Sequence, residues 1–125
     1  MRVMVIVKST ADSELGLMPS PAAWAAMEAF NDSLEAAGIT RAMGGLKPSS
    51  LGKRIRFDGS GRMITDGPFA ATNEVVAGFW IWEVKDMAEA IDWVTRCPNP
   101  MPGPSEIEIR PFYEDADFAD VLIPS

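Results

Sequence analysis

The chain has no histidine and a single cysteine, Cys97. Without histidine, the catalytic arrangements that use an imidazole as general base are not available. One thiol with no imidazole also makes a metal site or a thiol nucleophile improbable, and it can form no disulfide within the chain. The sequence contains no phosphate-binding loop and no dinucleotide-binding fingerprint either. We therefore expect no metal, no cofactor and no oxidising compartment.

Long apolar runs are missing as well. The first apolar run is five residues between Arg2 and Lys8, which is too short for the core of a signal peptide or for a membrane span. This pattern predicts a cytoplasmic protein with no membrane partner. A length of 125 residues predicts one domain over 1–125, with 113–125 as a C-terminal tail.

Positive charge is scarce. The chain has 11 Lys and Arg but 18 Asp and Glu, which gives a net charge of -7. Such a balance argues against nucleic acid as a direct partner. Residues 47–62 are the exception, and they contain Lys47, Lys53, Arg54, Arg56, Arg62 and the single acid Asp58. This segment can hold an anionic ligand, although a solvated strand face is the commoner arrangement.

The apolar pattern predicts an α+β protein in the order βαββαβ, with a β-hairpin inserted between the second and third main strands. The predicted strands are 3–7, 39–46, 53–57, 62–65, 75–84 and 105–110, and 9–19 is predicted as a loop. Ser20 with Pro21 is typical of a helix start, and Gly38 ends that helix. A second helix is predicted to begin at Asp86. Residues 98–104, with four prolines, predict a stiff, extended connector.

The strand at 75–84 has two apolar faces. Phe79 and Ile81 share one face, whereas Trp80 and Trp82 share the other. The two helices can cover only one face of the sheet, and large aromatic side chains are costly to leave in water. We therefore predict a homodimer in which a second copy covers the Trp80/Trp82 face.

Asp66 is the candidate catalytic residue. It precedes Gly67 and Pro68, which together predict a rigid corner in the chain. A carboxylate held there can act as general acid or base, anchor a ligand, or stabilise the turn by bonding to its own backbone. We expect Asp66 to lie near a cleft between the first helix and the sheet, and we keep the structural turn as the alternative.

Other polar side chains are candidates for ligand binding: Lys8, Ser9, Arg41, Thr65 and Glu74. Trp24, near the start of the first helix, either covers the edge of the core or roofs a pocket. Paired glycines at Gly44 and Gly45 indicate a β-bulge or the close approach of another backbone or of a ligand. Glu28 and Asn31 are predicted on the solvated side of the first helix.

The run Asp66-Gly67-Pro68-Phe69-Ala70, followed by Thr72, Glu74 and Ala77-Gly78-Phe79, resembles the DGPF branch of the YCII-related proteins. Residues 43–48 are similar to the Gly-Leu-x-Pro segment of that family. The resemblance implies a ferredoxin-like α+β fold that pairs into a dimeric α+β barrel. A His–Asp acid–base pair proposed for other YCII-related proteins cannot transfer intact, because this chain has no histidine. Ala71 and Asn73 also stand where the family often has an acid and a lysine.

Family members that lie beside or are fused to sigma factors imply a link to regulation. We predict a small dimeric domain that binds a small ligand in a cleft near the Asp66 corner and has a regulatory role. The alternative is an acid–base enzyme that acts on a small organic molecule, with Asp66 as general acid or base.

Overall fold

A computed structural model describes residues 1–122 of the chain. The strands are β1 (Arg2–Lys8), β2 (Thr40–Gly45), β3 (Lys53–Asp58), β4 (Gly61–Asp66), β5 (Val76–Glu83) and β6 (Ile107–Pro111). The helices are α1 (Ala11–Glu14), α2 (Pro21–Ala36), α3 (Met87–Thr95) and α4 (Ala119–Leu122), with 3₁₀ turns at Ser49–Leu51, Thr72–Glu74 and Asp115–Phe118. The last three residues of the predicted tail lie outside the described residues.

Four strands form an antiparallel sheet in the order β2-β5-β1-β6, and β3 pairs only with β4 in a separate hairpin. In the sheet Val5 lies opposite Trp80 on one side and opposite Ile109 on the other. The two strands that begin the βαβ halves, β1 and β5, are therefore central. This arrangement confirms the predicted α+β, ferredoxin-like fold with a hairpin inserted between the second and third main strands.

The long helices begin where the sequence predicts. The Ser20 hydroxyl accepts a hydrogen bond from the Ala23 amide at 3.1 Å, and the Asp86 carboxylate accepts one from the Glu89 amide at 2.9 Å. These bonds satisfy amides that have no partner inside the helix. The loop predicted at 9–19 contains the short helix α1, capped by Thr10. No helix within residues 1–122 is long and apolar enough to cross a membrane.

The core lies between the two long helices and one face of the sheet. Trp82 and Leu34 are fully buried, and Trp80 is only 6% exposed. Phe30 of α2 meets Trp80 edge to face, with ring centroids 6.1 Å apart. The predicted partner face is therefore wrong: the helices of the same chain cover Trp80 and Trp82. Successive side chains of β5 point to opposite faces, so the sequence assigns each residue to a face. It does not tell which of the two faces the helices cover.

The opposite face of the sheet carries the second set of apolar side chains. Met4 pairs with Ile81, and Ile6 pairs with Phe79, so the four side chains share this face. All four are only partly buried. The second apolar face that the sequence predicts thus exists, on the side of the sheet that faces away from the core.

The β3–β4 hairpin is exposed along its whole length. Ile55 and Ile64 lie opposite each other and share a face with Phe57. Their exposed fractions are 54%, 67% and 70%. The hairpin therefore presents an apolar face that is largely exposed in a single chain.

Candidate functional site

The corner at Asp66–Phe69 packs directly against the Ser49–Leu51 turn. The Gly67 amide donates to the Gly52 carbonyl at 3.0 Å, and the Gly67–Pro68 peptide is cis. A Cβ atom at residue 67 would lie 1.7 Å from the Ser49 carbonyl oxygen. Only glycine fits this position, because no side-chain atom can approach a backbone oxygen so closely.

Ser49, which is buried, holds the Asp66–Phe69 corner in place. Its hydroxyl donates to one Glu14 carboxylate oxygen and accepts from the Phe69 amide at 3.1 Å, while its own amide donates to the other Glu14 oxygen at 2.9 Å. The Arg54 guanidinium lies 3.8 Å from the centre of the Phe69 ring, a cation–π contact. These bonds tie α1, the Ser49–Leu51 turn and the hairpin together, so the corner is a structural junction.

The Asp66 side chain takes no part in these bonds. Its carboxylate accepts from the Lys53 ammonium at 2.7 Å, and its side chain is 73% exposed. It does not line the cavity between α2 and the sheet, so the predicted placement beside such a cleft is wrong. The reason is the hairpin: Asp66 is the last residue of β4, and the β3–β4 hairpin pairs with no strand of the main sheet.

The other predicted ligand-binding residues lie in three places. Lys8 pairs with Glu108 at 3.1 Å, and its hydrogen bond lowers the pKa of the Glu108 carboxyl below the usual value. Ser9 is buried, and its amide donates to the Val75 carbonyl at 2.7 Å, next to Glu74. The structure thus brings Lys8, Ser9 and the Glu74 turn near one another where the central strand β1 ends.

The remaining two candidates lie elsewhere. The Arg41 guanidinium donates to the Gly38 carbonyl at 2.8 Å at the end of α2, and Thr65 is exposed on the hairpin opposite Arg54. Glu74 lines an open groove of about 510 Å³ beside the corner, together with Ser49 and Phe69. The six predicted site residues therefore do not form one cluster.

A different cavity, of about 440 Å³, lies between α2, the sheet and the loop at 99–101. One wall comes from a single face of α2, where lining residues recur at helical spacing. These residues are Ala23, Trp24, Met27, Glu28 and Asn31, and the facing wall is Asn99, Pro100 and Met101. We call this space the α2 cavity.

Two glycines, Gly45 and Gly78, form part of the floor of the α2 cavity. They lie opposite each other in β2 and β5, in line with Val7 of β1. A Cβ at Gly78 would lie 3.1 Å from the Gly44 carbonyl oxygen, whereas a Cβ at Gly45 would meet nothing within 4 Å. The cavity therefore exists partly because two of the three residues in this row of the sheet are glycines. Residues 43–45 pair in regular register with β5, and the irregularity lies between Thr40 and Ala42 instead.

Two hydrogen bonds orient the aromatic side chains around the α2 cavity. The Trp24 indole donates to Glu28 Oε1 at 2.8 Å, and the Trp80 indole donates to Asn31 Oδ1 at 2.9 Å. Among the hydrogen bonds of the described residues, Glu28 Oε2 and Asn31 Nδ2 have no protein partner. One acceptor and one donor are thus left for a bound molecule at a largely apolar wall.

Sequence reasoning found part of this cavity. Trp24 lines it, as one of its two interpretations predicted, and is 50% exposed. Glu28 is exposed, as predicted, whereas Asn31 is partly buried. The bond between Trp24 and Glu28 was missed, although residues four apart are neighbours on a helix. The connector at 98–104 was expected to be extended. It is instead bent around Asn99, whose side-chain oxygen accepts from the Met101 amide at 2.9 Å.

Cys97 lies away from the α2 cavity and packs against the core. Burial raises the pKa of its thiol to about 11, so the thiol stays protonated at neutral pH and is a weak nucleophile there. Within residues 1–122, no group of three or more His, Cys, Asp or Glu side chains lies together in a way that could hold a metal ion.

Comparison with known proteins places the chain in a family. An uncharacterised protein of Rhizobium meliloti (strain 1021) is 30% identical to it over 66 residues, which are 53% of this chain and 53% of that protein. The chain thus spans about half the length of this curated relative. The family model of the YCII-related domain matches residues 1–113, a range that contains all six strands. The chain belongs to the family of YCII-related domains.

Proposed function

We propose that this protein binds a small, largely apolar molecule in the α2 cavity. The observation that carries the proposal is the cavity itself, of about 440 Å³, with its glycine floor and its tryptophan wall. Binding sites for small molecules are typically concave, about 300–1,000 Å³ in volume, and mostly apolar with a few placed polar groups. Glu28 and Asn31 are the polar groups of this kind here.

The groove beside the Asp66–Phe69 corner, where the sequence predicted the ligand, is less well suited. Ser49 is its buried polar group, and the hydroxyl of Ser49 already bonds to Glu14 and to the Phe69 amide. The groove also carries Lys47 and Glu74, which are charged and exposed. The lining of the α2 cavity is mainly apolar and aromatic, so this cavity suits an apolar molecule better. A regulatory role in the cytoplasm belongs to the same proposal, and its support is the sequence resemblance and the single cysteine.

The alternative, an acid–base enzyme that uses Asp66, has less support. A carboxylate that acts as general base near neutral pH usually needs a pKa raised by burial or by a like charge. Asp66 is exposed and its partner is Lys53, a positive charge. The carboxylate therefore lies in water beside a cation and not in a desolvated pocket.

Homodimerisation remains a proposal, now through the face that carries Met4, Ile6, Phe79 and Ile81. This face supports it because its apolar side chains are only partly covered in one chain, and apolar patches of this kind mark interfaces. Light scattering on the purified protein should give twice the mass of one 13.6 kDa chain.

Two matched variants test this dimer face. Ile81→Glu buries a charge in the proposed interface and should give a monomer. Ile91→Glu places the same charge on the exposed side of α3 and should leave the dimer intact. A monomeric wild-type protein, or a dimer that survives Ile81→Glu, would contradict the proposed interface.

Filling the α2 cavity tests the binding proposal. Gly45→Leu adds a side chain where there is open space, so the fold should be retained while the volume for a ligand falls. Neutral aromatic fragments, measured by calorimetry and by tryptophan fluorescence, should bind the wild type and lose at least about tenfold in affinity, which is about 1.4 kcal/mol, with Gly45→Leu.

Ala23→Leu, also in the cavity wall, should behave in the same way. Ala25→Leu is its control, because Ala25 is exposed on α2 and does not line the cavity. If the fragments bind all three variants as they bind the wild type, the α2 cavity is not the binding site.

A further inference from the structure

The described residues that line the α2 cavity carry negative charge and no positive charge. Glu28 lines it, and no Lys or Arg of the described residues does so. Glu28 Oε1 accepts from the Trp24 indole at 2.8 Å, which leaves Oε2 to accept from a ligand. An anionic ligand would lose water beside this carboxylate without gaining a positive partner, and such desolvation is unfavourable.

The aromatic wall favours the opposite charge. The Trp24 ring is held by Glu28 and remains half exposed. Cations bind against the face of an indole ring, within about 6 Å of its centre. Glu28 Oε2 and the Trp24 ring thus offer a positively charged group a carboxylate oxygen and an aromatic face in the same turn of α2.

Asn31 adds a neutral polar group three residues further along α2, where side chains are neighbours. Its Oδ1 accepts from the Trp80 indole at 2.9 Å, which directs the amide and leaves Nδ2 as a donor. The polar end of the cavity thus offers one negatively charged acceptor and one neutral donor, while the floor and the loop wall are mainly apolar.

We propose that the α2 cavity selects amines: molecules with a protonated amino group on a small apolar, preferably aromatic, body. The ammonium group binds Glu28 Oε2 and the face of Trp24, and the apolar body lies over Gly45 and Gly78. This inference rests on the proposed function of the cavity and gives it a ligand class.

Three probes with the same body test the selection: phenethylamine, phenethyl alcohol and 3-phenylpropanoate, which are positive, neutral and negative at pH 7. Calorimetry or protein NMR on the full chain should rank their affinities in that order. We expect the amine to bind about tenfold more tightly than the carboxylate, the combined effect of one exposed ion pair, one cation–π contact and the removal of a like-charge repulsion.

Glu28→Gln separates the local effect from the net charge of -7, which attracts any cation. Glutamine keeps an oxygen for the Trp24 indole and removes the charge. It should reduce the preference for the amine to about twofold or less, a difference near 0.4 kcal/mol. Glu35→Gln removes the same charge from an exposed position of α2 outside the cavity and should leave the preference intact.

The outcomes distinguish this inference from the proposed function. If the alcohol binds and Gly45→Leu abolishes its binding, while the amine and the carboxylate bind equally, the cavity is a binding site and the selection for amines is wrong. The selection is also wrong if Glu35→Gln lowers the preference as much as Glu28→Gln does. If none of the three probes binds at millimolar concentration, both the site and its ligand class are refuted.

Discussion

The core face of the sheet and the apolar face of the β3–β4 hairpin have opposite surroundings. In both regions every second side chain of a strand points to the same face, and that face is apolar. On the sheet, Trp82 is fully buried under α2 and α3, whereas on the hairpin Phe57 is 70% exposed. Alternation thus tells which side chains share a face, and the cover of that face depends on which elements the chain can bring to it.

The hairpin keeps its shape by other means. Arg62 lies 4.5 Å from the centre of the Phe57 ring, and Lys53 pairs with Asp66 at the foot. A two-stranded hairpin alone is marginally stable in water. Its attachment through Gly67 and Ser49 is therefore the contact that fixes the hairpin to the rest of the molecule.

The largest difference in stability between the core and the hairpin region is expected when a leucine in each is replaced by alanine. Leu34→Ala, in the core, should lower the free energy of unfolding by about 2–5 kcal/mol, because a fully buried side chain leaves a cavity. Leu51→Ala, at the foot of the hairpin and 69% exposed, should change it by about 0.5 kcal/mol or less. Urea denaturation of both variants checks this, and equal losses would show that a second molecule covers the hairpin region.

A smaller loss is expected at the attachment of the hairpin. Gly67→Ala forces a methyl group against the Ser49 carbonyl oxygen, and overpacking of this kind costs about 1–3 kcal/mol. Gly45→Ala, into open space, is the control and should stay within about 0.5 kcal/mol. Thermal unfolding followed by circular dichroism measures both. An unchanged melting temperature for Gly67→Ala would mean that the corner yields easily and does not hold the hairpin.

Cys97, which packs against the core, should make the free energy of unfolding depend on pH. Because burial raises its pKa from 9.0 to about 11, the folded state holds its proton where the unfolded state has lost it. The resulting stability is complete below pH 9 and is lost as the pH rises towards 11. Chemical denaturation between pH 8 and pH 11 should show a decline that is weaker in Cys97→Ala. Alkylation of native Cys97 as fast as that of a free thiol at pH 8 would contradict the burial.

The smallest effect is expected for Asp66→Asn, on the exposed hairpin. The pair with Lys53 is open to solvent, so its removal should cost at most about 1 kcal/mol, and asparagine also suits a turn. Melting temperature and fragment binding measured on the same variant check this. Unchanged stability with loss of binding would restore Asp66 as a functional carboxylate.

Local signals in the sequence predicted most of the fold. Ser20 with Pro21, Asp86 and the glycine-rich turn of the hairpin each determine a boundary through bonds to their immediate neighbours, and the structure places elements at these positions. The four-residue helix α1 was missed because it is too short to carry an apolar stripe.

The α2 cavity could not be predicted in the same way. Its walls combine Trp24, Gly45 and Asn99, which are far apart in the sequence and meet only through the packing of the sheet. The Asp66–Phe69 corner, by contrast, is conspicuous in the sequence because a glycine, a proline and a charge are adjacent. These residues form a junction between elements, whereas Glu28 and Asn31, predicted only as solvated residues of the first helix, supply free polar atoms at the α2 cavity.

The two glycines of the cavity floor differ in how freely they can change during evolution. Gly78 faces the Gly44 carbonyl closely, whereas Gly45 faces empty space. A single codon change at residue 45 can therefore introduce alanine, valine or another small side chain without disturbing the core, and each such change would reduce the free volume of the α2 cavity. Related chains with the same fold can in this way diverge in cavity volume through one position while residue 78 stays glycine.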